Sequence, residues 1–179
     1  MSIIYIVHIW NKESYSLEFL KDSLSETFRK RVEIYEPKRR IDLLSTYNPS
    51  REQYNSSLIL LQLINNHPKD AFRALGVTEV DLFIPILTFV FGEAQLNGIG
   101  ALISLHRLQN RFYGLPENEY LLKGRLVKEA IHELGHTYGL VHCSTPGCVM
   151  NSSTYVEDID QKSKDFCPSC YEVVKGIKR

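Results

Sequence analysis

The chain has 179 residues, 44% of them hydrophobic and 23% charged, and 21 lysines and arginines balance 21 aspartates and glutamates. This length makes a single domain with a proper core the expectation, and the composition is that of an ordinary soluble protein. The zero net charge points away from nucleic-acid and anionic-membrane partners, which usually demand a basic excess, and no apolar run reaches the roughly 20 residues of a membrane-spanning helix.

The start, MSIIYIVHIWNKE, is briefly apolar, but it lacks a basic leader and a small-residue cleavage site, and His8 interrupts it. It reads as a first strand over Ile3 to Ile9 rather than a signal peptide. Neither secretion nor anchoring is expected, and the expected location is cytoplasmic. SYSLEFLKDSLSETFRK places Leu17, Leu20, Leu24 and Phe28 at helical spacing and predicts an amphipathic helix ending near Lys30. VEIYE is a short second strand. Residues 37–49 read as an irregular loop, with KRR at Lys38 to Arg40 as solvated charge.

Ser50, with Gln53 three residues on, is a plausible N-cap for a second helix carrying Leu58, Ile59, Leu61, Leu63 and Ile64. KDAFRALG predicts a short helix closed by Gly76. VDLFIPIL is a strand that Pro85 keeps from pairing freely on both sides. TFVFGEA and GIGALISLHRL are two more strand candidates around the turn-prone LNG. Strands alternating with helices in this way imply an α/β layer with a largely parallel sheet. A long helix then begins near Glu119 and runs through EYLLKGRLVKEAIHELGHTYGL. Beyond Gly139 the chain becomes a Cys-, Gly- and Ser-rich tail. His8 and His106, in apolar stretches, are expected to be structural.

The chemistry concentrates in HELGHTYGLVHCSTPGCVM, residues 132 to 150. His132 and His136 are four apart on a predicted helix, so their side chains share one face and can hold one ion. Glu133 is displaced by one position and can hold a water beside the metal. Two imidazoles with a carboxylate general base is the zinc-peptidase arrangement. Gly139 can stop the helix, and His142, three residues later, can swing back to the same ion. Three histidines plus a water make a catalytic zinc shell with an open position. Bound zinc lowers the pKa of its water, and Glu133 can then take the proton as the water attacks a carbonyl. The full H-E-x-x-H-x-x-G-x-x-H, followed by a methionine at Met150, is the metzincin pattern. A Met-turn residue packs beneath the metal without binding it.

All four cysteines, Cys143, Cys148, Cys167 and Cys170, fall in the tail. Spaced as two close pairs, they suit a closed tetrahedral structural zinc that staples a segment too polar to build its own core. A redox role for CPSC lacks the strand-to-helix context of thioredoxin-like motifs. Disulfides would suit a secreted protein better.

HELGHTYGLVHC, CVM and CPSC together resemble the archaemetzincins (archaelysins), a metzincin family of zinc metallopeptidases whose zinc motif runs straight into a four-cysteine site. FVFGEA, from Phe89 to Ala94, also resembles a family segment. The 16 residues between Met150 and Cys167 are one fewer than the family pattern, a loop difference that touches neither ligand set. The resemblance implies two Zn2+ per chain. His132, His136 and His142 would take the catalytic zinc and Cys143, Cys148, Cys167 and Cys170 the structural one. Glu133 would be the general base and Met150 the Met-turn residue. It implies a metzincin-like α/β (α+β) fold: a twisted five-stranded mixed sheet with an antiparallel edge strand above the cleft, a long active-site helix and a small C-terminal subdomain. One catalytic domain is expected, divided near residue 139 of the 179. TFVFGEA falls where the edge strand should be and could align an extended peptide by strand addition. For Phe89 and Phe91, core packing is expected over substrate contact. Tyr155 could approach the zinc as a ligand or oxyanion donor but is not counted in the site. The expected partner is a peptide or protein substrate of a monomeric enzyme. The alternative is a non-catalytic two-zinc module that holds a peptide in the same cleft.

Overall fold

The computed structural model describes residues 2–9, 16–37 and 39–177. Strand β1 (Ile3–His8) lies at the middle of a layer because its side chains are apolar on both faces. Ile4 and Ile6 point to one side, and Val7, followed by Ile9, to the other, all at most 5% exposed. Helix α1 (Glu18–Phe28) covers the first side through Leu20, Leu24 and Phe28. Each such burial is worth roughly 2 kcal/mol. The helix stops at Arg29, which adopts a left-handed conformation with φ 52°. Ser14 and Tyr15 of the predicted helix, Trp10 to Lys12 after the first strand, and Lys38 of the basic run lie outside the described residues.

β2 (Arg31–Tyr35) returns parallel to β1. The predicted loop that follows contains a 3-10 turn, Leu44–Thr46, and a two-residue strand β3 (Tyr47–Asn48). β3 pairs antiparallel with β4 (Gln53–Asn55). The N-cap expected at Ser50 therefore moves to Asn55, whose side chain accepts from Leu58 N at 3.2 Å and starts helix α2 (Ser56–Asn66). Residues 50–55 are committed to β4 and its turn instead.

The largest correction concerns KDAFRALG. It is no helix: Ala71–Thr78 is strand β5, parallel to β1 and central in the main sheet. A central parallel strand is buried on both faces and loses the alternation that would distinguish it from a buried helix. Here Leu75 and Val77 face α1 while Ala74 faces α2. Gly76 is not a helix stop. A Cβ there would lie 2.6 Å from Ile9 Cδ1 and 3.0 Å from Leu63 Cδ2, so the residue marks a close approach between strand and helix.

Only Leu82–Phe83 of VDLFIPIL is strand (β6), and it pairs with β4 in a small three-stranded sheet rather than joining the main one. β7 (Gly92–Ala94) and β8 (Gly100–Ser104) shorten the last two predicted strands. The main sheet runs β2-β1-β5-β8-β7, with β7 antiparallel at the edge. This is the expected five-stranded mixed sheet, with β5 in place of VDLFIPIL. Along β8, Ala101 and Ile103 join the α1 side and Leu102 the α2 side.

Helix α3 (Glu119–Thr137) packs beside α1 and buries Leu126, Ala130, Ile131 and Leu134. Asn118 caps it, accepting from Leu121 N at 2.9 Å. The tail is more regular than its composition suggests, with helices α4 (Val156–Gln161) and α5 (Pro168–Gly176). Val149, Val156, Ile159 and Val174 carry it into the same hydrophobic cluster as Ile4 and Leu24. Among the described residues, no helix is long and apolar enough to cross a membrane.

Candidate metal centres

Because His132 and His136 are one turn apart on α3, their Nε2 atoms approach to 3.2 Å. The remaining ring nitrogens are engaged: His132 Nδ1 lies 2.8 Å from the Val149 carbonyl and His136 Nδ1 2.7 Å from the Leu140 carbonyl. A carbonyl only accepts, so each Nδ1 carries the proton and each Nε2 presents a lone pair. Gly139, at φ 87°, breaks the helix just after it. Its N–H returns to the His136 carbonyl at 2.9 Å, and Leu140 N to the Gly135 carbonyl at 3.2 Å. The reversal brings His142 back, and ligand nitrogens of all three histidines lie within 4.8 Å of one another. Four ligands about 2.0 Å from a tetrahedral zinc would stand roughly 3.3 Å apart, so the His132–His136 spacing fits the ion. Burial lowers the pKa of His132 well below its ordinary value, with Lys162 adding to the effect, and burial lowers that of His136 as well. Both rings are held in the neutral form that a metal ion could bind.

Glu133 faces the same cleft, which has a volume of about 620 Å³. The residue is 6% exposed, and burial raises its carboxyl pKa well above the usual range, with Glu129 adding to the shift and Lys162 opposing it. Edge strand β7 forms one rim, with Phe89, Phe91 and Val141 also on the walls and Ser152 to Thr154 opposite. Phe89 and Phe91 pack edge to face at 5.3 Å, and Phe91 is buried in the core cluster. Phe89 is partly buried against that cluster, and both rings also line the cleft. Met150 is fully buried beneath α3. There a Cβ on Gly135 would meet its Sδ at 2.6 Å.

The four cysteine sulfurs form a second group, also within 4.8 Å of one another. Cys143 and Cys167 Sγ are 3.8 Å apart, the edge of a tetrahedron with Zn–S bonds of about 2.3 Å. Backbone N–H groups point at the sulfurs: Thr145 N to Cys143 Sγ at 3.4 Å and Cys167 N to Cys148 Sγ at 3.3 Å. Such donors favour thiolate. The Cys170 N–H lowers the Cys167 thiol to about 6, while burial pushes the Cys170 thiol up. The two centres share a backbone link, because Cys143 N donates to the Met150 carbonyl at 3.0 Å.

Other candidates lie elsewhere. His106 has its Nδ1 3.3 Å from the Glu79 carbonyl and packs on Phe112. Tyr155 is 66% exposed at the start of α4 and is absent from the cleft walls. Four residues around the site lie outside the zinc and cysteine motifs. Gly92 leaves space above Glu133. Glu93 on β7 accepts hydrogen bonds from Ser56 and Ser57 at the start of α2. Glu129 and Lys162 form a buried ion pair at 3.1 Å. Gly92 and Glu93 fall within FVFGEA, the segment that resembles the family, and Glu129 lies three residues before His132 on the same helix face, whereas Lys162 carries no such signal.

A sequence profile of Peptidase family M54 matches residues 42–176. The archaemetzincin of Methanocaldococcus jannaschii is 48% identical over 155 residues, covering 86% of this chain and 82% of that protein. The archaemetzincin of Archaeoglobus fulgidus is 39% identical, and its crystal structure, a complex with malonate, superposes with a TM-score of 0.80 over 96% of this chain and 99% of that one. The Methanopyrus kandleri archaemetzincin structure superposes at 0.85, with 31% identity, over 98% and 94%. The chain therefore belongs to peptidase family M54, the archaemetzincins, and is a zinc metallopeptidase.

Proposed function

We propose that this chain cleaves peptide bonds with Glu133 as general base, holding one zinc ion on His132, His136 and His142 and a second, structural one on Cys143, Cys148, Cys167 and Cys170. The observation that carries the reading is the convergence of three imidazole nitrogens, two of them oriented from behind by carbonyls, beside the buried Glu133 in one cleft. A zinc ion held there supplies a Lewis acid for the scissile carbonyl and draws the pKa of a water towards neutrality.

The protein residues do the rest. β7 is the last strand of the sheet, so one side of Gly92 to Ala94 is unpaired by β8 and can take an extended peptide as an added strand. Phe89 and Val141 offer apolar surface to its side chains. Glu133 accepts the proton of the attacking water and passes it to the leaving amine. The cysteine centre holds the tail against α3, and with it the turn that carries Met150.

The test is Glu133→Ala. Peptide hydrolysis is expected to fall by about 10²- to 10⁴-fold while zinc content stays at the parent level. Normal cleavage by that variant would refute the assignment.

A further inference from the structure

We infer that Lys162 is a positioning residue for the histidine centre, with Glu129 as its counter-ion. Lys162 follows α4 and reaches back beneath α3. Its Nζ lies 3.1 Å from Glu129 Oε1, donates to the Asn151 carbonyl at 3.2 Å and stands 3.5 Å from His132 Nδ1. The two charged side chains are only 3% and 4% exposed. A buried ion pair is seldom the most stable filling for such a space, since apolar groups of similar volume do as well or better. Docking of the tail does not demand it either. Arg125 already grips Asp160 with two hydrogen bonds of 2.7 Å, and Lys128 Nζ donates to the Ile159 and Asp160 carbonyls at 2.9 and 3.0 Å.

Unlike Arg125 and Lys128, Lys162 reaches the turn behind the first histidine. The Val149 carbonyl receives the His132 Nδ1 proton, and two residues on the Asn151 carbonyl receives Lys162. The ammonium therefore fixes the far side of the turn whose near side orients the imidazole, with Met150 between the two. Groups that orient a metal-binding histidine through its second nitrogen typically change metal affinity when lost. Glu129 lets the ammonium remain in a space that excludes water.

This inference rests on the histidines holding a metal, and the experiment separates the two claims. Full-length parent, Lys162→Met and the double variant Lys162→Met with Glu129→Gln are compared. The readouts are melting temperature, zinc affinity by chelator competition, and the d–d absorption of Co²⁺ exchanged into the histidine centre. Lys162→Met is expected to weaken metal binding there by about 10- to 100-fold and to shift the Co²⁺ bands. The double variant no longer buries a lone carboxylate, so it should recover the parent melting temperature yet keep both metal defects. A double variant with the parent's affinity and Co²⁺ spectrum overturns the inference and leaves the ligand assignment intact. A parent that binds neither ion at the histidines overturns both.

Discussion

Gly92 on the edge strand leaves the volume that Glu133 on α3 fills. A Cβ at Gly92 would stand 2.7 Å from Glu133 Cγ, 2.8 Å from Glu133 Oε1 and 2.6 Å from the Leu102 carbonyl. The last of these is backbone of the neighbouring strand, so an added methyl has no cheap way out. Strand and carboxylate would have to part. Gly92→Ala is therefore expected to lower kcat/KM by roughly 100-fold, the effect of an ångström-scale misplacement, with bound zinc unchanged. Peptide hydrolysis and metal content measured on the same preparation decide it, and parent-like turnover would show that Glu133 is not held by this contact.

The two glycines inside α3 should respond to alanine with opposite signs. A Cβ at Gly124 meets nothing within 4 Å, so Gly124→Ala should stabilise the fold by about 0.5–1 kcal/mol through helix propensity and the unfolded chain. At Gly135 the same methyl meets Met150 Sδ at 2.6 Å and Phe166 Cε1 at 3.2 Å. Overpacking there, about 1–3 kcal/mol, outweighs the propensity gain, and a net loss of about 1 kcal/mol is expected. Urea midpoints of the two variants measure the contrast.

Removing one thiolate should release the cysteine-bound ion. Cys148 is 2% exposed and its sulfur accepts from Cys167 N at 3.3 Å. For Cys148→Ala, metal stoichiometry should fall from two zinc ions per chain to one, with a stability loss of several kcal/mol. Amide exchange should quicken across α5 and residues 143–150, whereas β1 and β5 keep their protection. A parent preparation with a single ion that Cys148→Ala abolishes would mean the histidine centre is empty as isolated.

Acid should loosen the wall of the cleft through Asp81. Half-burial raises its pKa, but hydrogen bonds from Arg107 and Gln53 outweigh that and hold it below the ordinary value. Arg107 meets the two carboxylate oxygens at 2.6 and 2.8 Å, and its guanidinium lies 4.2 Å from the Phe89 ring centre. A carboxyl whose folded pKa is depressed contributes stability above its unfolded value of ~3.9, and that contribution is lost as pH falls through the folded pKa. Urea midpoints of the parent, compared with Asp81→Asn between pH 6 and pH 3, should converge at the acid end because the variant has no such contribution to lose. Parallel curves would remove Asp81 from the account.

The grouping of the histidines and of the cysteines was legible because much of it is local. His132 and His136 belong to one helix, and Gly139 announces the reversal that returns His142 three residues on. Cys148 follows Cys143 at loop length, and Pro168 starts a helix between Cys167 and Cys170. The tail's own helices were hidden because each is short and draws its stability from apolar residues buried in the shared core cluster rather than from its own periodicity.

The sequence by itself determined the grouping of the histidines and cysteines into two sets and the layered α/β plan, because helix period, strand composition and glycine geometry act within a few residues. The tertiary structure alone decided that residues 71–78 are the central strand, since a segment buried on both faces has no period to reveal its class. It also decided that Gly92 makes room for Glu133, and that Glu129 and Lys162 meet beside His132. Those contacts join positions 41 and 33 residues apart, and at such separations the packing of whole elements, not local preference, chooses the neighbour.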